Sequence, residues 1–430
     1  MTDTSTRPDQ TTDEGLLRVI GPVGLAASVV NVVIGAGVFA LPAVLAGVLG
    51  PAAPLAFAVS GAVVGLVTVS MARAGRRVAR SGGPSAYADA AFGAFGGYIT
   101  GVLFWLSNVL ATAGVSAALA DAAAALVPVF AGRAARVVLL LALYVALTWV
   151  NLRGARQGTT FAATAAALKF GALLVFVAVG ALMINPEHLD WTRTPAVSDI
   201  GRGAIIAIFA LAGMEVALGA SGEVRDPART IPRALFSAMA AIAVLYVAVQ
   251  VVAQGVLGPA LPASRVPLAD ALAQAGRLGG TFILLASLVS MTGRVEGDLL
   301  GSPRQLFAFA RAGVLPRALA AVHPVTRVPH VAVIAHAAIA CALALTGTFA
   351  ALAILSSVVL ILFYGLCCAA SWKLDRRARG GLIPGLAIVS LAWMLTSATL
   401  GEFAAVAGVL VVATLYYLLR RARTPAASSL

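Results

Sequence analysis

The sequence predicts an all-α membrane protein of about twelve transmembrane helices, and three observations predict it. Apolar stretches long enough to cross a bilayer, roughly 17–25 residues each, recur along nearly the whole chain. Charged residues make up 11% of the 430 residues, where an ordinary soluble domain carries about 25%. The arginines fall in short loops that alternate between rich and poor, the pattern that fixes the orientation of membrane helices. The short alternating strands of a transmembrane barrel are not visible.

Twelve candidate spans are expected at about 17–46, 52–74, 94–127, 134–152, 160–184, 200–222, 232–258, 270–300, 329–347, 350–372, 382–399 and 401–420. With the N-terminus inside, 22 of the 30 Lys and Arg residues lie in inner segments and six in outer ones. Only Lys169 and Arg294 fall within spans. A missed span would invert every later loop and destroy that ratio. The expectation is a multi-pass protein of the inner (plasma) membrane, with cytoplasmic tails at 1–16 and 421–430. The N-terminal tail lacks a cleavable signal pattern, so the first span is expected to act as an uncleaved insertion signal. The net charge of +13 serves topology rather than nucleic-acid binding, because the basic residues are spread among loops. Cys341, Cys367 and Cys368 lie in apolar runs and read as small packing residues. Residues 304–316 read as an amphipathic helix on the cytoplasmic surface.

Two spans are interrupted. The first carries Ile34, Gly35, Ala36 and Gly37, with Asn31 one turn before and Pro42 one turn after. The second carries Phe209, Ala212, Gly213 and Glu215. Unwound backbone at membrane depth is tolerated only where it is packed in protein or lines a cavity. A pair of such breaks in the two halves of a chain points to a transporter's binding site. The glycines release backbone from the helix and expose amides able to cradle a carboxylate. The alternative at Gly35 and Gly37 is close helix packing. Glu215 is an acid at mid-span, costly unless paired or functional. Beyond it, Glu223, Arg225 and Asp226 read as a salt-bridged turn before Pro227.

Further charges stand inside spans. Lys169 lies nine residues into its span, about 14 Å deep at 1.5 Å per residue, too deep to snorkel easily. Desolvation disfavours a charged amine, so a lysine here is either a proton carrier or a fixed orienting charge. Arg294, Glu296 and Asp298 share one span. Arg294 and Asp298 stand at i,i+4 and can pair on one face, while Glu296 points elsewhere. They read either as an internally neutralised polar stretch lining the path or as a site selecting a charged substrate. His336 reads as a core residue rather than a relay. No metal cluster, cofactor motif or nucleophile–base set is present, so neither an enzyme nor an ATP-driven pump is expected.

The stretch Phe209-Ala-Leu-Ala-Gly-Met-Glu215, continuing through Gly222-Glu-Val-Arg-Asp-Pro227 to Arg233, resembles the signature of the amino acid–polyamine–organocation superfamily. Ile34-Gly-Ala-Gly-Val-Phe39 is similar to that superfamily's helix 1 motif, and Gly82-Gly-Pro-Ser-Ala-Tyr87 to its helix 2–3 loop. Ser302-Pro-Arg304 through Pro316 is similar to the stretch after its helix 8. The resemblance covers nearly the whole chain. It implies a five-plus-five inverted repeat, residues 17–184 against 200–372, with two added helices over 382–420. It also implies a substrate site at the two breaks. There a substrate carboxylate meets amides near Ala36 and Gly37, its ammonium meets carbonyls around Phe209 and Ala212, and Phe209 lids the site. In proton-coupled members a helix 5 lysine, here Lys169, stands where sodium-coupled members bind an ion. The expected function is secondary active amino-acid transport by alternating access, with the proton as coupling ion. An amino-acid or polyamine exchanger is the alternative. A transporter-like ligand sensor is a third reading, and the short C-terminal tail argues against it.

Overall fold

The computed structural model describes residues 21–75, 83–153, 159–191, 194–215, 224, 226–375 and 381–423. Among them the elements are helical. The first predicted span is two helices, α1 (Pro22–Val33) and α2 (Gly37–Leu49), which meet at a bend of 50°. There follow α3 (Pro54–Gly75), a short α4 (Gly83–Phe92), α5 (Ala94–Leu126), α6 (Arg133–Leu152) and α7 (Thr159–Ala181). The second interrupted span begins with α8 (Val197–Ile208) and a tight turn over Phe209–Leu211. The later elements are α9 (Pro227–Leu257), α10 (Pro267–Ala273), α11 (Arg277–Gly301), α12 (Pro303–Arg311), α13 (His330–Thr346), α14 (Phe349–Leu374), α15 (Leu382–Leu395) and α16 (Leu400–Arg423). Among the described residues, eight helices are long and apolar enough to cross a membrane, and the bent pair α1–α2 makes a ninth; α13 and α15 are shorter apolar helices. The chain is thus a multi-pass membrane protein.

One predicted span is divided. The stretch 270–300 was expected to be a single helix, but α10 ends at Ala273 and α11 starts at Arg277. Gly276 between them has φ 133°, a conformation that glycine adopts without steric cost and that no helix contains. In the turn before α9, Asp226 has φ 41° and pairs with Arg229 at 3.9 Å, both exposed. Glu223 and Arg225, expected in the same network, lie outside the described residues. Cys341, Cys367 and Cys368 are buried free thiols, in keeping with packing.

The two halves of the chain are interleaved. α5 stands at the centre, packed against α14, α11 and α13. α1 lies against α9 and α7, α2 against α8, and α3 against both α9 and α8. The periphery is apolar and open, as a lipid-facing surface must be. α6 exposes Val138, Leu141, Val145 and Trp149 along one stripe, and α16 exposes Val411, Val412, Leu415 and Leu419. α16 is fastened at two levels. Glu402 accepts both forks of Arg202 from α8, at 2.8 and 2.7 Å. Tyr417 stacks on Tyr98 of α5 at 4.9 Å between ring centroids.

The expected amphipathic helix exists as α12, shorter than 304–316. It buries Leu306, Phe309 and Ala310, and the Phe309 ring meets Tyr98 at 5.1 Å. Gly101 makes this seat: a Cβ there would stand 2.5 Å from the Gln305 amide nitrogen and 2.7 Å from the Phe309 ring. Gly101→Val should therefore lift α12 off α5, at a cost of about 1–3 kcal/mol typical of overpacking. Limited proteolysis of the 312–329 connection should accelerate. Unchanged cleavage and melting would show that α12 is held by something other than this seat.

Candidate functional site: two helix breaks and a cluster of buried charges

Interrupting a helix strands backbone groups, and in a bilayer these must be satisfied by protein. The carbonyls at the end of α1 are taken up by three other helices. Lys169 Nζ of α7 donates to the Asn31 carbonyl at 3.0 Å. The Tyr246 hydroxyl of α9 donates to Val33 at 3.3 Å. The Ser290 hydroxyl of α11 donates to Ile34 at 3.0 Å. On the other side of the break the polarity reverses. The amides of Ala36, Gly37 and Val38, which open α2, have no acceptor among the described residues. Three free, buried N–H groups at a helix N-terminus form an anion cradle.

The second break is finished differently. Ala212 turns to an extended ψ of 146° and Gly213 takes φ 125°. The Glu215 carboxylate folds back to accept the Gly213 amide, at 3.1 and 3.2 Å, and the Tyr364 hydroxyl of α14 at 2.9 Å. Glu215 is 2% exposed, so in this conformation the acid caps its own break. The Phe209 carbonyl is taken by the Ala212 amide at 3.3 Å, whereas the carbonyls of Ala210, Leu211 and Ala212 accept nothing from the described residues. The Phe209 ring is buried edge-on against Phe349 at 5.7 Å.

The breaks touch. A Cβ on Gly37 would lie 2.6 Å from the Ala210 Cα, and one on Gly213 would lie 2.9 Å from Val32 Cγ1 and 3.3 Å from the Val32 carbonyl carbon. Gly37 therefore serves close packing, and Gly213 serves packing as well as conformation. Donor-rich and acceptor-rich backbone thus face one another across a few ångströms.

Lys169 is 4% exposed. Its ammonium does not snorkel but turns inward to the C-terminal end of α1, where the helix dipole favours a cation. Gly293 of α11 faces it, with a Cβ position 3.7 Å from Nζ.

The other charged span residues separate into two groups. Arg294 packs its methylenes on Gly35, whose Cβ position is 3.2 Å from Arg294 Cγ. Its guanidinium donates to the Asn108 side-chain oxygen of α5 at 3.3 Å and lies 3.8 Å from Asp298. Asp298 is held more closely by others: the Ser302 hydroxyl at 2.6 Å and His336 Nε2 of α13 at 2.8 Å. His336 is fully buried, as expected of a core residue, and both its ring nitrogens are hydrogen-bonded. Trp105 Nε1 donates to its Nδ1 at 3.1 Å. An indole nitrogen can only donate, so this contact makes Nδ1 an acceptor and leaves the proton on Nε2, facing Asp298. Glu296 lies two positions from Arg294, about 200° around the helix. It is half-buried, and its Oε2 has no hydrogen-bond partner among the described residues.

Sequence reasoning missed Asn108, Tyr246, Ser290 and Tyr364. A polar Asn within an apolar span is a signal. Hydroxyls in helices are too common to single out, since most bond their own preceding turn, as Thr100 does to Gly96.

Comparison with known proteins agrees with this architecture. The amino acid permease family matches residues 20–425 of the chain. A transporter of Mycobacterium tuberculosis, itself uncharacterised, is 32% identical over 401 residues, covering 90% of this chain and 88% of the relative. The serine/threonine exchanger of Bacillus subtilis is 25% identical over 385 residues, 86% of each chain. The methylthioribose transporter of the same organism is 25% identical over 345 residues, 74% of this chain and 73% of its own.

Because the contact at Gly37 is with backbone, Gly37→Val must force the two breaks apart. The expected result is a loss of about 1–3 kcal/mol, read as a lower melting temperature in detergent. Melting like the unaltered protein would show that the breaks do not pack as described.

Proposed function

The chain belongs to the amino acid permease family, and on that premise we propose that it is a secondary active transporter moving amino acids by alternating access, with proton symport as the coupling mode. The observation that carries this reading is the pairing of the breaks. Free amides at Ala36, Gly37 and Val38 suit an α-carboxylate, and free carbonyls at Ala210, Leu211 and Ala212 suit an α-ammonium. The two sets meet where a Cβ on Gly37 would stand 2.6 Å from the Ala210 Cα. The Gly37–Ala210 contact closes this space, so a substrate enters only when the breaks separate, which is what alternating access requires. Phe209, beside the second break, is the ring placed to cover a bound substrate. Glu215 acts by holding the second break open in shape.

Twelve spans in a five-plus-five inverted repeat belong to the same reading, with the breaks in the first span of each half. So do an inner-membrane location and cytoplasmic termini. In the coupling step, protonated Lys169 pins the end of α1 to α7 through the Asn31 carbonyl. Loss of the proton removes the charge that the α1 terminus attracts and frees α1 to tilt. An exchanger is the second reading. It is favoured by the serine/threonine exchanger among the relatives, and in it Lys169 is a fixed brace.

Thermal stabilisation of the purified protein by a panel of amino acids and polyamines tests the substrate class, since a ligand of the folded state raises the melting temperature. Stabilisation by amino acids is expected, and a response to polyamines alone would overturn the assignment. For coupling, Lys169→Ala in proteoliposomes should reduce uptake driven by a proton gradient to that of protein-free vesicles while counterflow exchange persists. Gradient-driven uptake that survives the substitution would remove Lys169 as the proton carrier.

A further inference from the structure

Arg294 is the buried cation whose hydrogen-bonding capacity is least used. A guanidinium carries five N–H donors in a rigid fork. Among the described residues Arg294 makes one hydrogen bond, to Asn108, and one ion-pair contact at 3.8 Å. Its nearest anion is drawn away from it: the Asp298 oxygens are engaged by Ser302 and His336 at shorter distances. Of the other acids of this region, Glu215 is occupied by the Gly213 amide and the Tyr364 hydroxyl, and Glu296 stands about 200° around the helix from Arg294. Lys169, the second buried cation, is bonded to a carbonyl. A buried guanidinium is costly unless paired and hydrogen-bonded, and among the described residues its pairing is the long contact to Asp298.

Its position is equally specific. Arg294 lies over Gly35, in the first break, between α5 and α11. A cleft further along α11 is lined on that helix by Ile283, Leu284, Ser287 and Met291. Those residues lie on the helix face that continues, one turn on, to Arg294. The charged residue lining that cleft is also a cation, Arg265 at its exposed edge. A cation in that lining favours anions at the cleft's edge.

We propose that Arg294 is a specificity-determining residue that receives a second carboxylate, so that the preferred substrates are dicarboxylic amino acids. The inference rests on the amino-acid transport reading above and adds the side-chain class. The free amides of α2 hold the α-carboxylate, and the Arg294 fork takes the side-chain carboxylate with the bidentate geometry that this pair favours. Asn108 orients the fork by accepting one of its N–H groups.

The test compares glutamate with glutamine, and aspartate with asparagine, as ligands of the full-length protein. Each pair is nearly isosteric and differs in charge. In thermal-shift titrations of the unaltered protein, half-maximal stabilisation by each acid should need at least about tenfold less ligand than its amide, as expected for a charge-assisted hydrogen-bonded pair. Arg294→Gln should lose that preference while still responding to glutamine, and Arg294→Lys should keep only part of it. If the amides bind the unaltered protein as well as the acids, the proposal is overturned whatever the variants do. It is likewise overturned if Arg294→Gln keeps the preference. If neutral amino acids bind and acidic ones do not, this inference falls while the transport reading stands. Absence of any amino-acid response removes both.

Discussion

A helix that stops inside a bilayer leaves carbonyls at one end and amides at the other, with no water to receive them. The rest of this structure is arranged around that debt at two places. The carbonyls ending α1 are met by Lys169, Tyr246 and Ser290, one each from α7, α9 and α11. Three helices are thereby brought to the same point, which is why α1 packs on α9 and α7. The amides opening α2 have no partner among the described residues, and the asymmetry marks the end at which a ligand can contribute. At the second break the acid that finishes the backbone, Glu215, comes from the break itself, and α14 adds a hydroxyl.

The buried charges follow a common logic. Each is positioned by neutral dipoles more than by an opposite charge. Lys169 faces a carbonyl at a helix terminus, Glu215 an amide and a phenol, and Asp298 a hydroxyl and an imidazole whose proton is fixed by Trp105. Dipoles of this kind hold a charge without cancelling it, so the charge stays available to respond when a helix moves. A tight ion pair would resist separation more strongly. Arg294 departs from the pattern, with most of its donors unspent.

Much of this was legible in the chain, and the residues show why. Composition and the arginine bias identified the spans, whose ends agree with the helices to within about five residues outside the interrupted spans and α10–α11. The breaks were legible because Gly35, Gly37 and Gly213 interrupt otherwise continuous apolar runs. Lys169, Arg294 and Asp298 stood out because a charge in such a run is rare. What stayed hidden was contact between distant positions. That Gly37 meets Ala210, that Ser290 serves Ile34 across 256 residues, and that His336 reaches Asp298 depend on how helices are laid beside one another. Nothing local announces them. Gly276 was overlooked although Gln274, Arg277, Gly279 and Gly280 surround it, because the long apolar run after it drew the whole stretch into one span.

α5 has 33 residues, which at 1.5 Å per residue is about 50 Å. The hydrocarbon core of a bilayer is about 30 Å thick. The helix must lean, protrude, or both, and its first turns carry α4 and α12 as cargo through Phe92, Tyr98 and Gly101. Asn108, which holds Arg294, lies close to its midpoint. A rigid rod pivoting there through about 5° sweeps each end by about 2 Å, in opposite directions. The contact at the fulcrum would barely stretch while α4 and α12 shift together at one end, so events at the centre of the bundle have a ready mechanical read-out at its surface.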